Sequence, residues 1–367
     1  MLKRLISIML VIVMICSLFT FAYANEAIKK NDKNYYVETG YIPDDVIEYA
    51  KNSIGNMLMR KYDSNSIKLL YPFKLFNCEI DLYYFMVYFN DEIIGSYRVF
   101  NLDGEYNGIF SEAGTFEKNI LNAFSKSSAE HPAKILRGQY KDMYSVVNNK
   151  VYTIIDDIEG KFTETSYLQQ KSSEIKLENL NKMLYTMNIN VCETQEYRPY
   201  KWLQLDLSET QGSDSWCSAY CAASIIRFIK GLNLSQCSAK ILMEWTYPGL
   251  PLNELKKLAF PRNKVLEYSK LKGLNPVLTS GRVSTNYVQT QINKDIPLCF
   301  IITQDESNGE IFRHTIVCRG YYDTGEQINF SVWNPWNTTY ETLNGKNFRY
   351  VDKYGDWYTW DETIHGF

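Results

Sequence analysis

The chain has 367 residues, 45% hydrophobic and 22% charged, with a formal net charge of −3 at neutral pH. That is ample for a large core and more than one domain's worth of chain. No basic cluster is dense enough for a nucleic-acid surface, and the abundance of Tyr, Lys, Ile and Asn suggests an AT-rich bacterial genome.

Lys3 and Arg4 precede an apolar run from Leu5 to Phe21, and Ala22-Tyr23-Ala24 follows as a small-x-small site. This pattern predicts a secretory signal peptide over residues 1–24, with an uncleaved anchor as the alternative. Cys16 follows Ile15 rather than a small residue, which argues against a lipid anchor. No later stretch is apolar enough to span a bilayer, so no membrane association is expected once the signal is removed. Export permits disulfides without requiring them, and the seven cysteines left after Cys16 is removed leave at least one free thiol.

Residues 25–192 carry no catalytic signal. Apolar residues at helical intervals after Pro43, with Asp44 and Asp45 in the first turn, predict a helix to Leu58. The runs 82–89, 93–100 and 106–109, broken at Asn90-Asp91 and Asp103-Gly104, predict an antiparallel meander. Residues 114–126 have helix spacing, and 139–167 read as further strands. The polar stretch around Arg198-Pro199 lacks periodicity and reads as an exposed linker, with a cleavage expected between about Asn188 and Lys201.

Cys217 comes next, six residues after Gln211, in Gln211-Gly-Ser-Asp-Ser-Trp216-Cys217, at the start of a predicted helix that runs to Gly231. A helix N-terminus offers unpaired amides and positive potential, which favour thiolate. Gln211 is placed to add its side-chain amide to the Cys217 backbone amide as a second oxyanion donor. Helices are then predicted at 235–245, 252–258 and 283–293, and strands at 296–303, 312–319 and 327–332, an α+β order. Alternation puts Phe312, His314, Ile316 and Cys318 on one strand face, and Ile328, Phe330, Val332 and Asn334 on one face of the next. Asp323-Thr-Gly-Glu326 between them reads as a hairpin turn, which brings Asn334 towards His314. An asparagine carbonyl on one ring nitrogen would fix the imidazole and leave the other nitrogen for the thiol.

The ordinary readings compete with this one. Of three histidines, His131 falls in a polar loop and His365 lies three residues from the end, where a solvated side chain is expected. Cys221 lies one helical turn after Cys217 and reads as packing. Cys237 has helix spacing and no basic partner, and Cys299 sits in an apolar strand. No Cys-x-x-Cys or His-x-x-His pair occurs, so no metal is expected, and the chemistry requires no organic cofactor. Trp333 alternates away from Asn334 and reads as core.

Together the Gln211 to Trp216-Cys217 spacing, the later strand histidine and Trp333-Asn334-Pro335-Trp336 resemble the papain-like cysteine peptidases, most closely the secreted staphopain family, over residues 193–367. The aromatic C-terminus from Asp356 to Phe367 resembles that family too. The resemblance implies a helical lobe and an antiparallel β-barrel-like lobe with the active site between them. By motif, Cys217 is then the nucleophile, His314 the base and acid, Asn334 the orienter, Gln211 the oxyanion donor, and Trp336 and Trp216 supporting residues. It implies that 25–192 is a β-rich propeptide acting as intramolecular inhibitor, that the substrates are extracellular proteins, and that a dedicated protein inhibitor is a further partner. The family's mature domains carry little cysteine beyond the nucleophile, whereas this chain also has Cys221, Cys237, Cys299 and Cys318. Two rivals follow: a cell-wall amidase or bacteriocin-leader peptidase of related fold, which would carry another third residue, and a non-catalytic secreted binding module.

Overall fold

The computed structural model describes residues 28–29, 34–58, 61–102, 104–138, 142–155, 164–165, 181–190, 199–212, 214–305, 311–325 and 327–367. The predicted signal segment 1–24 and residues 191–198 of the predicted linker lie outside them.

Helix α1 (Asp44–Leu58) opens on Asp44 and Asp45 and buries Val46, Ala50, Ile54 and Leu58, the four-residue stripe the sequence predicts. Strands β1 (Leu82–Phe89), β2 (Glu92–Leu102) and β3 (Glu105–Glu112) form the predicted meander. Asn90 and Asp91 turn its first hairpin with φ of 49° and 62°, which short polar side chains tolerate best. Helix α2 (Thr115–Phe124) follows.

In the second half, α3 (Cys217–Lys230) ends at Gly231, whose φ of 62° closes the helix in the left-handed conformation. Helix α4 (Ala239–Thr246) begins later than predicted because the Ser238 hydroxyl caps it by accepting from the Ile241 amide. Cys237 is therefore outside the helix, buried beneath α3. Helix α5 (Arg262–Leu271) is absent from the sequence reading, and α6 (Thr285–Asn293) is as expected. Strands β4 (Leu298–Asp305), β5 (Ile311–Asp323) and β6 (Ile328–Trp333) match their predicted runs. Two more, β7 (Tyr340–Leu343) and β8 (Trp357–His365), were not predicted.

These strands form one antiparallel path in the order β1-β2-β3-β7-β6-β5-β4-β8. The ladder thus runs from one half of the chain into the other, through the single register pair Ser111 and Glu341. Period-two alternation gives the second half two cores. Cys299, Ile301, Val317 and Trp333 pack against α3, α4 and α5. Phe300, Ile302, Ile316, Phe330 and Val332 face the other way, into a core continuous with the first half. Trp333 is core, as its alternation predicts. His365 is half-buried rather than fully solvated. Strand β8 pairs it with Val277, and its ring nitrogens lie 2.8 Å from the hydroxyls of Thr279 and Tyr287.

Candidate active site

Cys217 is the first residue of α3, with Trp216 at the N-cap. The buried Trp216 indole donates to the Leu255 carbonyl at 2.9 Å, so this tryptophan anchors the start of the helix from below. Two contacts staple α3 to β5 beside the histidine. The Ser218 and Thr315 hydroxyls lie 2.8 Å apart, and the Cys221 thiol donates to the Thr315 carbonyl at 3.2 Å. The neighbours of Cys217 and His314 are thereby joined, and Cys217, His314, Gln211 and Trp336 line one cleft. Every described lining residue comes from 211–336, and none from the N-terminal half.

His314 is buried, and Trp336 stacks on its ring at 3.6 Å between centroids and 8° between planes. Its Nε2 lies 2.9 Å from Asn334 Oδ1, so the hairpin count brings the expected pair together. The amide orientation follows from its other bonds. The Trp336 backbone amide donates to Oδ1 at 3.1 Å, and Nδ2 donates to the Tyr350 hydroxyl at 2.9 Å. Oδ1 must therefore accept from a protonated Nε2, which leaves Nδ1 for the thiol.

Gln211 is tied to the same segment, its backbone amide donating to the Pro335 carbonyl at 2.7 Å. Its side-chain nitrogen spends one hydrogen on the Asp214 carbonyl. The second remains, together with the helix-initial amide of Cys217, for an oxyanion. Its Oε1 is buried with no partner among the described residues.

One expectation does not hold in this state of the molecule. Cys217 as a residue is half-buried, yet its sulfur is desolvated, and that pushes the thiol up. Hydrogen bonds from Thr315 and Ser218 act in the opposite sense without offsetting it. With burial holding the thiol up, alkylation of Cys217 in the full chain is expected to climb steadily as pH rises from 7 to 9. A rate that is flat across that range would contradict this.

The remaining described cysteines in this half, Cys221, Cys237, Cys299 and Cys318, are free thiols, all buried. Burial pushes Cys237 up to about 11 and Cys318 to about 12, so neither competes as a nucleophile. Sequence reasoning missed Glu341 and Tyr350, which stand behind Asn334. The available signal was a carboxylate inside the short apolar run Tyr340-Glu341-Thr342-Leu343.

Residues 194–367 match the sequence profile of the staphopain peptidases C47. Over nearly its whole length the chain is similar to staphopain A of Staphylococcus aureus. The two are 23% identical, and the alignment covers 99% of this chain and 98% of that protein. It is likewise similar to an extracellular cysteine protease of Staphylococcus epidermidis, 24% identical, with 100% of this chain and 99% of that protein aligned.

Proposed function

We propose that this chain, whose residues 194–367 match the sequence profile of the staphopain peptidases, is the latent, secreted form of a bacterial cysteine endopeptidase acting on extracellular proteins. Residues 1–24 would direct export, 25–192 act as propeptide, and 193–367 form the catalytic domain with its helical and β-rich lobes. Secretion is supported by the pattern of residues 1–24 and by the extracellular relative. The observation that carries the reading is the shared cleft of Cys217 and His314, with Asn334 on the far ring nitrogen.

In the chemistry that follows, His314 takes the thiol proton and Cys217 attacks the scissile carbonyl. The oxyanion is held by the Cys217 amide and Gln211. The imidazolium protonates the leaving amine, which departs to leave a thioester. His314 then takes a proton from water, whose oxygen attacks the thioester and releases the acid. Trp336 keeps water from the His314–Asn334 bond.

Asn334 in the third position, where the amidase rival would carry another residue, favours protein substrates. The processed protein is expected to hydrolyse casein and to leave peptidoglycan intact, and an epoxide probe is expected to label Cys217 ahead of the other thiols. Labelling elsewhere, or peptidoglycan cleavage without casein cleavage, would defeat the proposal.

A further inference from the structure

Behind Asn334 a file of buried polar groups leads away from the cleft and ends on the N-terminal half. Tyr350, which accepts from Asn334, donates to one oxygen of Glu341, and Asn337 donates to that same oxygen at 3.0 Å. Arg98 Nη2 and Ser111 donate to the other oxygen at 2.6 and 3.0 Å. The Arg98 and Glu341 side chains are 1% and 2% exposed. A buried ion pair is a weak source of stability, since apolar side chains of the same size fill such space as well or better. Nε and Nη1 of Arg98 have no partner among the described residues, so the pair is also thinly supported.

We propose that Tyr350 and Glu341 are positioning residues for His314, acting through Asn334, and that Arg98 neutralises Glu341 and so holds this arm at rest until the N-terminal half is removed. The inference rests on the reading of 25–192 as a removable propeptide. Every hydrogen bond in the file donates towards Glu341. Negative charge there polarises each link in turn and favours a second proton on the imidazole, which the thiolate needs beside it. Arg98 cancels that charge. Losing the N-terminal half would remove Arg98 and Ser111 but leave Tyr350 and Asn337 bonded.

Other charges face these groups. Lys353 and Asp352 lie near Glu341 and Tyr350, and burial disfavours the Lys353 charge. Glu117 of the N-terminal half acts on Lys353, and its own carboxyl is pushed up by burial. In the cleft, Asp214, Arg313 and the Arg262–Glu362 pair surround Cys217 and His314. Of all these, Arg98 is the cation that would leave with residues 25–192.

The test is iodoacetamide labelling of Cys217 in the full chain between pH 6 and 9, read by mass spectrometry. Arg98→Met is expected to raise the rate at pH 7 by about tenfold, equivalent to one pKa unit, and to flatten the pH profile. Arg98→Lys should restore wild-type behaviour, because only one guanidinium nitrogen is used. Adding Tyr350→Phe to Arg98→Met should abolish the gain by breaking the file. An Arg98→Met chain with the wild-type rate and profile would overturn the proposal. If that variant does not fold, Arg98→Met/Glu341→Gln removes both buried charges and is expected to fold and label slowly; fast labelling there overturns it equally. The readout is thiol chemistry, so it stands apart from casein hydrolysis, which tests the peptidase reading.

Discussion

Cys217→Ser is expected to lower kcat/KM on casein-derived peptides by about 10⁴-fold or more, and His314→Ala by a comparable factor. The double variant should lose no more than the worse single one, because the two groups act as a unit: a thiol without a base and a base without a thiol are equally idle. Serine replaces sulfur with a smaller, far less acidic oxygen, and the thiol's contact with the Ser218 hydroxyl is long, at 4.0 Å, so the fold should be unchanged. Circular dichroism and the thermal midpoint would confirm that. Activity of Cys217→Ser above a tenth of wild type, or strictly additive losses, would remove Cys217 from the centre of the mechanism.

The largest expected effect on stability is at Arg227, far from the reacting atoms. Its buried guanidinium pairs with Glu209 at 2.5 Å and Asp206 at 3.2 Å and donates to the Cys237 carbonyl at 2.9 Å. Arg227→Met leaves Glu209 largely buried without its cation, a loss of about 3–5 kcal/mol. For a unit of this size that corresponds to a fall of roughly 6–20 °C in Tm. Burial already pushes the Glu209 carboxyl up despite Arg227. A carboxyl raised in the folded state costs stability above its folded pKa, and the cost fades as pH falls and the group takes up a proton. The deficit of Arg227→Met should therefore shrink in acid. By contrast Lys240→Ala, which breaks the exposed pair with Glu244, should change stability by less than about 0.5 kcal/mol. Equal Tm shifts for the two variants would refute the assignment. Activity should fall in Arg227→Met as well, because Glu209 also accepts from the Ala239 amide and holds the strand of chain leading to Gln211.

What the sequence made legible is local. Cys217 opening a helix follows from a polar stretch before an apolar one, and the meeting of His314 with Asn334 follows from counting alternate residues across one hairpin. The stacking of Trp336 follows from the same count. Helix α5 escaped notice because it is rich in charge and buries only Val265, Tyr268 and Ser269. Strands β7 and β8 escaped because aromatic residues crowd that region in both registers, so no alternation stands out. The resting state of the thiol was misjudged for another reason. The field of a helix end can be read from position, whereas desolvation depends on what the rest of the chain places around the sulfur. Glu341 and Tyr350 are distant from Arg98 in sequence, and nothing local announces that they meet.

The shared sheet also governs what a cut in the linker could accomplish. Once residues 191–198 were severed, the two pieces would still be joined by the β3–β7 seam, the Arg98–Glu341 pair, the Arg137–Asp356 pair and the Asn107–Asn344 contact. Their parting would then obey mass action. The same nicked molecule would remain whole in a crowded preparation and come apart on dilution, so peptide-bond scission and the appearance of turnover are separate clocks.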